Sequence, residues 1–125
     1  DNFRDVLDEN VRFIDPFNNV VGQNAFIKIF KEMYNKVEYV KFEISDYSVS
    51  SIKSFEGIGY IRWVLKGVLK SNRRNISING MSEIHFDKTG KVLAHIDHWD
   101  SFSQLTIKLP YIGFLIQSFF KIFFK

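Results

Sequence analysis

Cysteine is absent from the chain, which excludes disulfides, thiolate nucleophiles and cysteine-ligated metal. Proline occurs only twice, at Pro16 and Pro110, and there is no repeat, low-complexity linker or compositional break to mark a second domain. Neither sign of charge dominates. Lysine and arginine number 17 and aspartate and glutamate 14, interleaved along the chain, for a net charge of +3. The one basic cluster, Lys70-Ser71-Asn72-Arg73-Arg74, reads as a solvated hairpin end, and no nucleic-acid partner is expected from it. No apolar run reaches the ~18 residues of a membrane span. No secretory leader pattern opens the chain, and a cytoplasmic location is the expectation. A chain of 125 residues suits one domain with one core.

Aromatic residues, in contrast, are abundant. They make up 17% of the chain, and fourteen of them are Phe. A small domain with so many rings can line an apolar cavity as well as fill a core. Residues 2–8 predict a short helix with Phe3, Val6 and Leu7 on one side. NVRFIDPF then alternates as a strand that Pro16 ends, because proline cannot donate to a ladder. Asn18-Asn19 and Gly22 read as turn. Residues 23–36 predict the clearest helix, with Phe26, Ile29, Phe30, Met33, Tyr34 and Val37 at spacings of three and four. From residue 38 the period changes to two, with Val40, Phe42 and Ile44 inward. The serine-rich stretch from Tyr47 to Phe55 reads as turn or irregular edge. Strands follow at 57–66 and 76–87, then a tight Lys88-Thr89-Gly90 turn and a last strand, KVLAHIDHWDSF. The fold class is α+β, with helices on one face of a curved antiparallel sheet.

Chemistry concentrates in AHIDHWDSF, residues 94–102, with two of the three histidines and one of the two tryptophans. On a strand, His95, Asp97 and Trp99 share one face, and Ala94, Ile96 and His98 the other. His95 and Asp97 stand ~6.6 Å apart along such a strand and can both reach one ion, with Asp15 as the third ligand a metal needs. No second histidine joins that face, and no metal is expected. A hydrogen-bonded His–Asp pair acting as acid or base is the other reading, and buried polar groups satisfied by Arg62 or main chain the third. Asp15, before Pro16, is suited to cap a turn through backbone N–H groups.

The order of elements, with ENVRFIDPF (9–17), the glycine and amphipathic helix after it, and the hairpin FDKTGKVLAHIDHWD (86–100), resembles the nuclear transport factor 2-like superfamily. That superfamily includes ketosteroid isomerases, limonene epoxide hydrolase, scytalone dehydratase and SnoaL-like polyketide cyclases. The resemblance covers about Leu7 to Asp100 and is nearest to an uncharacterised subgroup. It implies a cone-shaped sheet with an internal pocket and turns the Trp99-bearing face inward. It puts Asp15 at the general base of ketosteroid isomerases. Of that enzyme's two oxyanion donors, an aspartate position falls on Ser82, and the tyrosine belongs to a long first helix that is missing here or lies before Asp1; steroid isomerase activity is therefore not implied. The epoxide hydrolases suggest a water-activating Asp–Arg–Asp set, which Asp15, Arg62 and Asp97 imitate incompletely.

The expected function is a small hydrophobic ligand held in a pocket, with cofactor-free isomerase, cyclase or dehydratase chemistry through Asp15, His95 and Asp97. Tyr34, Arg62, Trp63, Ser82, Ile84, Phe86 and Trp99 are the expected ligand-binding residues. The alternative is a ligand-binding or dimerising module without turnover. Residues 1–109 are expected to form the domain. Residues 110–125, PYIGFLIQSFFKIFFK, predict a Phe-rich amphipathic helix that packs on the domain or in a homodimer, with a membrane surface as the other candidate.

Overall fold

The computed structural model describes residues 2–52 and 56–105, together with residues 115, 118, 121 and 122. Chain order is α1 (Asn2–Asp5), β1 (Leu7–Ile14), β2 (Asn19–Val21), α2 (Gln23–Lys36), β3 (Val37–Ile52), β4 (Glu56–Leu69), β5 (Asn75–Phe86), β6 (Val92–Trp99) and α3 (Ser101–Gln104). The six strands form one sheet in the order β2-β1-β6-β5-β4-β3. The expected antiparallel arrangement holds for β3 to β6 and for the β1–β2 hairpin, while β1 joins β6 in parallel. The parallel pairing brings Phe13 beside His95.

Four local readings change. The first helix stops at Asp5, and Leu7 begins β1, because the Val6 carbonyl accepts the Val92 N–H and draws the chain onto β6. Asn19 to Val21 is strand rather than turn. The reversal before it is made by Asp15, whose carboxylate accepts the N–H groups of Phe17 and Asn18 at 2.8 and 2.7 Å. Val37 leaves the helix and opens β3. The serine-rich stretch also belongs to β3, through Ile52. It pairs with β4 residue by residue, Tyr47 opposite Ile61 and Val49 opposite Gly59. The long β4 needs a partner for its backbone groups, and Tyr47 and Val49 alternate with serines in the two-residue period of an edge strand.

Helix α2 starts where Gly22 takes a positive φ of 104°, a conformation costly for a residue with a side chain. Its Phe26 and Phe30 lie over the sheet, and Phe26 meets Phe13 edge-on at 5.1 Å between ring centres. One core cluster joins Leu7, Val11, Phe13 and Phe26; a second joins Trp63, Leu65 and Ile78, with Met33 of α2 packed on it. Burying each such aliphatic or Phe side chain stabilises the fold by ~1.5–3 kcal/mol. The hollow between the helices and the sheet lies beside these two clusters. At the far end of the sheet, the basic loop turns through a left-handed Arg73, which pairs with Glu38.

Candidate functional site

Alternation along β6 points His95 and Asp97 to the concave face, under α1 and α2. There they border a cavity of about 370 Å³. Phe3 and Val6 close it on one side, Phe26 and Phe30 from above, and Phe42, Ile44, Ile61, Trp63 and Ile84 along the sheet. Among the described residues, its polar lining is Ser82, His95 and Asp97, with no lysine or arginine.

Those three residues form one directed chain with Trp63. The indole Nε1–H can only donate, and it donates to Ser82 Oγ at 2.8 Å. The single hydroxyl proton of Ser82 is then directed to Asp97 Oδ1, 2.5 Å away. His95 Nε2 meets the same oxygen at 2.7 Å. Both contacts fall on Oδ1, and among the described residues no hydrogen bond reaches Oδ2. For Asp97 Oδ1 to accept from both, His95 must carry its proton on Nε2. The imidazole is fixed by rings as well, with Phe13 and Phe26 centred 5.4 and 5.6 Å from it. Register explains the meeting. Ser82 pairs with Asp97 across β5–β6 and with Ile61 across β4–β5, one diagonal step from Trp63. Gly80, beside Ser82's strand neighbour, leaves room for the Trp63 ring to lie flat over β5.

Other expected site residues go elsewhere. Asp15 is bound into its turn, with Asn18 Nδ2 adding contacts of 3.0 and 3.1 Å, and it does not line the cavity. Tyr34 is 55% exposed on α2 and also lies outside the cavity lining. Arg62 takes the opposite face from Trp63, exposed and in register with Asp46 and Met81, so the Asp–Arg–Asp set does not assemble. Trp99 shares the face of Asp97, but its ring packs on the second core cluster and on Phe17 at 5.8 Å. Phe86 borders an adjoining trough instead, its ring laid over Gly57. The cavity rings from α1 and α2 were missed as site residues, although the helical spacing of Phe26 and Phe30 marks the face that carries them.

On the convex face, Glu83 receives His98 Nε2 at 2.7 Å and His85 Nε2 at 3.2 Å. The His85 contact, then the His98 contact, hold the Glu83 carboxyl below its ordinary range. Asp100 caps α3 through the Ser103 hydroxyl and N–H, which lower its carboxyl in the same way. Among the described residues, no cluster of three or more His, Asp or Glu is placed to hold a metal ion. Among them, too, no helix is long and apolar enough to cross a membrane. The Phe-rich segment expected at 110–125 lies outside the described residues, apart from Leu115, Ser118, Lys121 and Ile122.

Solved structures share this architecture at low identity. An NTF2-like protein of unknown function from Exiguobacterium superposes with a TM-score of 0.68 at 12% identity, covering 79% of this chain and 80% of its own. A protein with a ketosteroid isomerase-like fold from Catenulispora acidiphila, in complex with trimethylamine, gives 0.66 at 12%, covering 81% and 75%. The epoxide hydrolase/cyclase-like enzyme SalBIII, which has a role in pyran ring formation in the polyether salinomycin, gives 0.63 at 18%, covering 77% and 74%. The fold is therefore nuclear transport factor 2-like, with a curved, unclosed sheet. A comparison with curated proteins finds no match. Residues 2–95 match a protein family described as an uncharacterized conserved protein, and this chain belongs to that family, DUF2358.

Proposed function

We propose that the cavity binds a small, mostly apolar carbonyl compound and that Asp97 and His95 move a proton on it without a cofactor. The observation that carries this reading is the wiring of Asp97, a residue that lines an apolar hollow: one oxygen is held by Ser82 and His95, and the other accepts no hydrogen bond among the described residues. A carboxylate so placed takes a proton from the carbon next to the carbonyl. The C–H bond breaks, its electron pair moves toward the carbonyl oxygen, and the proton arrives on Oδ2. Where the compound is β,γ-unsaturated, the charge is shared with the γ carbon, and returning the proton there completes an isomerisation. Neighbours on this fold include an epoxide hydrolase/cyclase-like enzyme and a protein with a ketosteroid isomerase-like fold, in line with such chemistry.

A second reading, ligand binding without turnover, is favoured by one observation. Ser82 spends its proton on Asp97 and His95 Nε2 faces the same oxygen, so neither hydrogen is offered to a developing enolate oxygen. Methyl n-alkyl ketones in D2O separate the two. Binding is read from Trp63 fluorescence in a Trp99→Phe background, and exchange of the acidic protons by NMR. Proton transfer predicts exchange above the buffer rate that falls ~10²-fold or more in Asp97→Asn. Saturable binding with no exchange leaves the second reading, and no binding removes both.

A further inference from the structure

The concave face does not end with the cavity. Ile44, Ile61 and Ile84 border it and also border a second hollow of about 300 Å³, which continues toward Val49 and Phe86. The two are therefore one cleft, deep at Asp97 and shallow beyond Ile61. Among the described residues, no charged residue and no helix residue lines the shallow part. Its rim is apolar yet open to solvent: Tyr47 is 76% exposed and Val49 63%. Its floor is bare at Gly59, where an added Cβ would lie 3.9 Å from the Phe86 ring. From Ser82, opposite Asp97, to Phe86 the strand advances four residues, or ~13 Å at ~3.3 Å per residue, which matches an extended alkyl chain of about ten carbons.

We infer that the natural ligand is an amphiphile with a carbonyl head at Asp97 and an unbranched alkyl chain lying along the trough over Gly59. The inference rests on the proposed carbonyl site and adds the substrate class. Continuity with the cavity, the uncharged lining and the narrow glycine floor all favour a flexible chain over a wide ring system. Trp63 stands at the deep end and reports on the head whatever the chain length.

The test uses the full chain and methyl n-alkyl ketones from pentyl to undecyl, with affinity read by Trp63 fluorescence in the Trp99→Phe background. Affinity is expected to rise about two- to fourfold per methylene as the chain enters the trough, and then to level off near ten carbons. Gly59→Val places a branched side chain on the floor at a site with space for its Cβ, in a strand that favours such residues. It is expected to leave pentyl ketone binding unchanged and to weaken the longest ketones by ~10-fold or more, about two or three methylenes' worth. Thermal melts confirm that the variant folds. Equal affinity for short and long ketones overturns the inference while the proposed carbonyl site stands; that result is also expected if a second copy or residues 106–125 occupy the trough. Undiminished binding of long ketones by Gly59→Val overturns it as well. Failure of every ketone to bind overturns both the inference and the carbonyl site.

Discussion

Replacing Ser82 with alanine removes one oxygen and disturbs two partners. Ser82 is only 4% exposed, and the Trp63 ring beside it 7%. Without Oγ, the Trp63 Nε1–H is left buried with no acceptor, a loss of ~1–3 kcal/mol. Asp97 also loses a donor to a carboxylate, worth ~1.5–3 kcal/mol before compensation. His95 still holds Oδ1, and the cavity admits water to the other oxygen, so part of that loss is recovered. The expected net destabilisation is ~2–4 kcal/mol, equivalent to a fall in Tm of about 10 °C for a domain of this size. Urea unfolding followed by circular dichroism measures it, with an unchanged slope showing that the denatured state is not responsible. The source of the loss is then isolated in a Trp63→Phe background, where no indole donor exists. There Ser82→Ala should cost ~1 kcal/mol less. A Ser82→Ala protein within ~0.5 kcal/mol of the parent, or the same cost in both backgrounds, would refute the linked Trp63–Ser82–Asp97 chain.

Gly80→Ala should cost ~1–3 kcal/mol and shift Trp emission, because its Cβ would enter the space of the Trp63 ring; an unchanged spectrum and melt would contradict that packing. At Gly22 a Cβ meets nothing within 4 Å, so Gly22→Ala should lose only the ~1–3 kcal/mol of a backbone conformation that glycine alone adopts readily, read by urea unfolding. Phe26→Ala should lose ~3–5 kcal/mol and uncover the cavity, seen as increased binding of a hydrophobic dye. Glu83 has a lowered folded pKa, so its contribution is present above the ordinary glutamate value of ~4.3 and is lost as pH falls through the folded value. The stability difference between parent and Glu83→Gln should therefore shrink with acidification across that window; a constant difference would show that the His85 and His98 contacts do not stabilise the fold.

Local pattern sufficed where a residue's partner is its own element or its nearest turn. The period of Phe26, Ile29, Phe30 and Met33 gave α2 its boundaries, and the alternation around Trp63 and Ile84 gave two central strands. It failed where backbone demand from a distant strand decided the outcome, as when the serines after Tyr47 were taken up by β4. The site divides along the same line. His95 and Asp97 are two apart on one strand, so parity alone put them together. Arg62 and Trp63 are adjacent, and a single step of parity sends one to solvent and the other to the cavity. Asp15 has the same carboxylate as Asp97, yet Pro16 gives up its N–H and the next two N–H groups close on the Asp15 side chain, which makes it a turn residue. Asp97 has no such backbone offer, because its neighbours' N–H groups belong to the sheet, and its Oδ1 finds side chains instead. That pairing is what joins Ser82 and Trp63 to the site, through β4–β5–β6 register that no single stretch of sequence records.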